Sequence, residues 1–144
     1  MKKFEFASPG YIEELKRQLD DAFKSVDLAG IEFIISEEYT DPPDHLCQPG
    51  RRSIGFHIQI SKGEYKVGDR PRDDADVCIV ADYKSVLPFI KRLHPKTAEE
   101  EAELQKARIQ LAAEGKVQIK GDMNKQPSIM KEAELHDRMA VPTL

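Results

Sequence analysis

The apolar positions of this chain follow two rhythms. Ile54, Phe56, Ile58 and Ile60 alternate with Gly55, His57 and Gln59, the period of a strand with one face buried. Ser61-Lys62-Gly63-Glu64 then turns the chain and Tyr65-Lys66-Val67 returns it, which predicts a hairpin. Ile31, Phe33 and Ile35 share one face of a strand over Ile31–Glu37. Ala75–Ala81 is almost continuously apolar and predicts a strand away from the sheet edge, covered on both faces. Lys116–Lys120 reads as a last, short strand.

The second rhythm is helical. Ile12, Leu15, Leu19, Phe23 and Val26 recur at spacings of three and four, one stripe on an amphipathic helix of roughly Tyr11 to Val26. Ser8-Pro9 supplies its N-cap, and Gly30 suits a stop. Asp82 caps a short helix carrying Val86, Leu87, Phe89, Ile90 and Leu93, which Pro88 is expected to break or kink. Thr97 and Glu100 have capping-box spacing before a helix of roughly Ala98 to Glu114. Leu104, Ala107, Leu111 and the stem of Arg108 are its inward candidates, and Gly115 ends it. After the turn Gly121-Asp122, a final helix starts near Asn124 and carries Ile129, Met130, Ala133 and Leu135.

Hairpin strands come first and the last strand is separated from them by helices. That order predicts an α+β domain: a single mixed sheet of about five strands with helices packed on one face. Residues 1–144 fit one domain, with no repeat and no internal linker. Two segments stay irregular, the charged connection Asp69–Asp74 and the Pro-rich loop Asp41–Arg52.

Composition narrows the classes. A formal net charge of -4 argues against nucleic acid as the main partner, because neutralising phosphates needs surplus Lys and Arg. No apolar run approaches the ~20 residues that cross a bilayer, so no membrane insertion is expected. Met1-Lys2-Lys3 leads into no apolar stretch, and Val141–Leu144 is no peroxisomal address, so a cytoplasmic location is expected. Cys78 sits in an apolar run and reads as a small hydrophobe; a disulfide to Cys47 is not expected in a reducing compartment. No CxxC or HExxH spacing is present, so neither a metal nor another cofactor is expected.

Gly115-Lys116-Val117-Gln118-Ile119-Lys120-Gly121-Asp122-Met123 resembles a segment of the sterol carrier protein (SCP2-like) family, in which a helix ends in Gly-Lys, a short apolar strand follows, and Gly-Asp leads to a C-terminal helix. The hairpin Ile58–Val67 and the strand Ala75-Asp76-Val77-Cys78-Ile79-Val80, followed by the acidic cap Asp82, are similar to that family as well. The likeness runs from about Tyr11 to the end of the chain. It departs from the family pattern in the acidic helix before Gly115, in the polar character of Gln126–Leu135, and in the Asp41–Arg52 loop. The resemblance implies an apolar pocket between sheet and helices.

The residues placed to line such a pocket are Phe33, Ile35, Phe56, Ile58, Val77 and Ile79 from the strands, and Leu87, Ile90, Leu111, Met123, Ile129 and Met130 from the helical segments. The same residues also suit an ordinary filled core. Three functions follow. The first is binding and intracellular carriage, or presentation to a partner enzyme, of a lipid, fatty acyl, sterol or isoprenoid ligand. The second is an enzyme or accessory subunit acting on a hydrophobic metabolite, with His45, His57 or Cys47 as the polar group; no catalytic residue is assigned. The third is a protein-interaction domain with a filled core. A homodimer is compatible with each. His57 is expected on the outer sheet face, His94 at a helix end, and His136, Asp137 and Arg138 in a solvated cluster. Glu99–Glu101 and Asp73-Asp74 read as solvated faces, and Arg51-Arg52 as a surface pair able to hold a carboxylate or phosphate.

Overall fold

The computed structural model describes residues 2–131 and 133–144, with side chains outside 131–134. Helix α1 (Pro9–Phe23) begins where its sequence signals place it: Tyr11 N–H donates to Ser8 Oγ at 3.2 Å, and Pro9 takes the first helical position. It ends three residues earlier than the apolar stripe suggested. Gly30 instead closes the turn into β1 at a φ of 80°, a conformation that favours glycine.

The sheet comprises β1 (Phe33–Thr40), β2 (Ser53–Ser61), β3 (Glu64–Gly68), β4 (Val77–Asp82) and β5 (Val117–Gly121), in the order β3-β2-β1-β4-β5. Only the β1–β4 pair is parallel; the others are antiparallel. The α+β class, the five-strand mixed sheet and the interior position of β4 agree with the sequence reading. β1 runs on to Thr40, three residues past the expected end at Glu37.

On the inner face a short row of Tyr65, Ile60 and Phe33 lies beside three longer rows that reach β5. Val67, Ile58, Ile35, Val77 and Gly121 form one. Phe56, Glu37, Ile79 and Ile119 form the middle one, and Ile54, Tyr39, Ala81 and Val117 the third. Leu15, Leu19 and Phe23 of α1 join Ile35, Ile58 and Val77 in one buried cluster, with Phe6 and Tyr11. Their removal from water is the main stabilising contribution, at ~1.5–3 kcal/mol per large side chain.

The outer face carries no apolar layer of that kind. It is crossed by the 69–76 connection: Arg72 N–H donates to the buried Ser36 hydroxyl at 2.7 Å, and His57 Nδ1 donates to the Arg70 carbonyl at 2.6 Å. His57 thus lies outward, as expected. Cys78 is only half-buried, beneath this connection, with its thiol 3.4 Å from the Arg72 carbonyl; it is not the core residue its apolar neighbours suggested. Alternation explains the correction, since Val77 and Ile79 take the inner face.

Helix α2 (Tyr83–Lys91) is capped by Asp82, whose carboxylate accepts from Ser85 N–H at 3.1 Å and from its hydroxyl at 2.6 Å. Pro88 does not end it. The hydrogen bond Pro88 cannot make falls to the carbonyl of exposed Lys84, which water can reach. Helix α3 (Ala98–Ala113) starts at Thr97, whose hydroxyl accepts from Glu100 N–H at 3.1 Å; Glu100 reaches back to Lys96 N–H at 3.0 Å, one residue before the usual capping-box donor. Leu104 is buried and Leu111 half-buried, while Arg108 is exposed.

The expected final helix does not start at Asn124. A 3-10 turn (Met123–Lys125) precedes α4 (Ser128–Lys131), because Pro127 restricts the residue before it to extended backbone; α5 (Ala133–Ala140) follows Glu132, which lies outside the described residues. The orientation expected for the Ala133 side chain lies outside the described residues. His136, Asp137 and Arg138 do more than face solvent. His136 Nε2 donates to the Arg92 carbonyl at 2.7 Å, Asp137 accepts from His94 N–H at 2.7 Å, and Arg138 pairs with Asp21 at 2.5 Å. Together they tie α5 to α1 and to the end of α2.

Candidate functional site

Covering of the inner face is uneven. In β4, Val77 is fully buried and Ala81 is 3% exposed, yet Ile79 between them is only half-buried. In β1, Ile35 and Tyr39 are buried while Glu37 between them is not fully covered. These exceptions lie on the one middle row. Along it, exposure rises from Phe56 at 3%, through Glu37 and Ile79, to Ile119 at 51%. The middle row is therefore a candidate trough, most exposed at the β5 edge, where Val117 on the neighbouring row is half-buried too. Half-buried Val117 and the α2 residues Leu87 and Ile90 pack against the adjoining core.

At the closed end the trough meets a polar group. Glu37 projects to the same side as Phe33 and Ile35, a costly position for a carboxylate. The Tyr39 hydroxyl donates to its Oε1, and Oε2 carries no hydrogen bond among the described residues. Part of Glu37 still meets solvent, but its carboxyl is crowded by surrounding protein. Burial accordingly pushes its pKa up, and the Tyr39 hydrogen bond opposes this. Burial, then the neighbouring Glu37, raises the phenols of Tyr11 and Tyr39 well above the ordinary tyrosine range. Tyr83 is raised to about 12, and its hydroxyl donates to the Phe6 carbonyl at 2.8 Å. Phe6 stacks edge-on against Tyr11 and Tyr39, with centroids 5.1 and 4.6 Å apart, so the polar end is held by rigid rings.

The sequence-selected lining separates into three groups. Phe33, Ile35, Phe56, Ile58, Val77 and Met130 are buried core residues, already in contact with other side chains. Ile79, Leu87, Ile90 and Ile129 are half-buried at the margin of that core. Leu111 on α3 is half-buried and Met123 is 37% exposed; neither belongs to the cluster. Glu37 and Tyr39 were missed. The signal was available: continuing the alternation from Phe33 and Ile35 places both on the inner face.

The polar residues weighed for catalysis lie elsewhere. His45 is exposed and bonded to Glu5 at 2.7 Å, His57 faces outward, and the Cys47 thiol points to the Pro43 carbonyl at 3.9 Å. Both cysteines are free. Among the described residues no group of His, Cys, Asp or Glu is arranged to hold a metal ion, and no helix is long and apolar enough to cross a membrane.

Geometry thus defines an α+β domain with a mixed five-strand sheet and helices packed on its apolar face. Among solved structures, that is the sterol carrier protein fold. The chain superposes on a conserved hypothetical protein of Thermus thermophilus, suggested to be a sterol carrier protein, with a TM-score of 0.54 and 15% identity over 99% of this chain and 93% of the other. It superposes equally, at 0.54 with 20% identity, on sterol carrier protein domain 2 of Helicoverpa armigera, covering 94% and 90% of the two chains. Neither a family model nor a curated protein matches the sequence.

Proposed function

We propose that this protein binds an apolar or amphipathic small molecule of the lipid, fatty acyl, sterol or isoprenoid class along the middle row of the sheet, and carries or presents it within the cytoplasm. The observation that carries the reading is the exposure gradient from Phe56 to Ile119. A filled core would cover Ile79 as completely as Val77 and Ala81. The uncovered strip is apolar for most of its length and ends at a carboxyl and a tyrosine. An apolar body laid over Ile79 and Ile119 gains ~25 cal/mol per Å² buried before binding costs. Its polar end meets Glu37, whose free oxygen accepts a hydroxyl or amine hydrogen, or donates one when protonated.

Amide NMR during titration with a long-chain alcohol tests this. Shifts concentrated at Ile79, Ile119 and Glu37 are the expected result. Shifts absent from all three at saturating ligand would refute it. An enzymatic role needs a reacting group within the trough, and His45, His57 and Cys47 lie outside it.

A further inference from the structure

A second recess lies at the opposite edge of the sheet. It is a cleft of ≈ 360 Å³ between α1, the Asp41–Arg52 loop, the start of β2 and the end of β3. Its apolar lining includes Ile12, Leu46, Ile54 and Val67. Arg51 and Arg70 also line it; both are exposed, and neither has an ion-pair partner among the described residues. The other charges present are Lys16, paired with Glu13 at 3.1 Å, and Asp69. The backbone at each arginine is fixed: Arg51 N–H donates to the Gln48 carbonyl at 3.0 Å, and the Arg70 carbonyl accepts from His57 at 2.6 Å. None of the four residues of the trough row lines this cleft. Its volume is at the lower end of the ~300–1,000 Å³ usual for small-molecule sites.

We propose that this cleft is a separate site for a small amphipathic monoanion, its carboxylate or phosphate held by Arg51 and Arg70 and its short apolar body lying on Ile12, Leu46, Ile54 and Val67. Charge complementarity points to this class. Two unpaired guanidinium groups present forked donors matched to a planar or tetrahedral oxyanion. The four apolar side chains beside them give a bare inorganic ion nothing to bury them with. This assigns a role to the Asp41–Arg52 loop: it supplies one apolar wall and one cation. The site does not rest on occupancy of the trough.

Calorimetry and amide NMR on the full chain with octanoate, octanol and inorganic phosphate test the assignment, beside the Arg51→Ala/Arg70→Ala variant. The double variant changes exposed side chains, and its circular dichroism should match the parent. Octanoate should shift the Gly55 and Gly68 amides at lower concentration than either control, and the affinity read from those shifts should fall at least about tenfold in the variant. Octanol shifting the Gly55 and Gly68 amides as readily as octanoate would overturn the anion assignment, whereas octanol in the trough leaves those amides unmoved. Phosphate binding as tightly would overturn the amphiphile assignment. Octanoate shifts at Gly55 and Gly68 undiminished in the variant would overturn the arginines.

Discussion

Truncating Ile119 and truncating Ile60 should have opposite consequences. Both are inner-face isoleucines, but Ile60 is 0% exposed and Ile119 is 51% exposed. Ile60→Ala removes fully packed methyl groups and leaves a cavity, so it should cost ~2–5 kcal/mol of stability. Ile119 has realised only about half of an isoleucine's burial, ~1 kcal/mol, and its removal opens no closed cavity. A ligand lying in the trough would bury the remaining half, also ~1 kcal/mol, so Ile119→Ala should weaken binding about fivefold. Urea unfolding followed by circular dichroism reads the first quantity, and displacement of an environment-sensitive fluorescent fatty acid reads the second. Ile60→Ala should leave the affinity of the folded protein within about twofold. An Ile119→Ala protein destabilised by more than ~2 kcal/mol, with unchanged affinity, would show that this position is closed by packing and would refute the trough.

Three further outcomes follow from the same structure. Glu37 has a raised pKa in the folded state, so the folded protein favours its protonated form and loses stability as pH rises from the unfolded pKa to the folded one. Glu37→Gln should remove that dependence, and its melting temperature relative to the parent should be higher at pH 7 than at pH 4; a constant difference would contradict the burial of this carboxyl. Asp82 is lowered, first by the Ser85 hydroxyl, so its contribution is present above the unfolded pKa and lost as pH falls through the folded one. Asp82→Ala should cost ~1 kcal/mol at neutral pH by urea unfolding and less in acid; no change at neutral pH would exclude the cap. A Cβ at Gly55 would run into the Glu37 carbonyl oxygen, so Gly55→Ala should cost ~1–3 kcal/mol in urea unfolding, and a neutral result would contradict the tight β1–β2 register.

The architecture was legible because each element carries its own signal. The alternation at Ile54–Ile60, the stripe from Ile12 to Phe23, and the caps Ser8, Asp82 and Thr97 are local, and the structure uses all of them. Boundaries failed where polar residues sit inside a strand. Glu37-Glu38 looks like a strand end, yet one faces inward and the other outward, and Ser53 hydroxyl donation to Glu38 at 2.8 Å holds the outward one. The C-terminal helix failed at Pro127. The inner face could be read from periodicity, but not its uneven covering, because covering depends on where helices distant in sequence come to rest. For the same reason Arg51 was recognised as a cation beside a loop, while Arg70 and the four apolar residues that accompany it were not. Those side chains come from α1, the loop and two strands, and only the folded chain brings them together.

The central claim is that the middle row holds an apolar ligand, and the most direct measurement is gentle-ionisation mass spectrometry of the purified protein followed by solvent extraction. The account predicts a reproducible added mass, released as a lipid-like compound and diminished in Ile119→Ala. A bare protein mass that stays bare after incubation with fatty acids, sterols and quinones would contradict it.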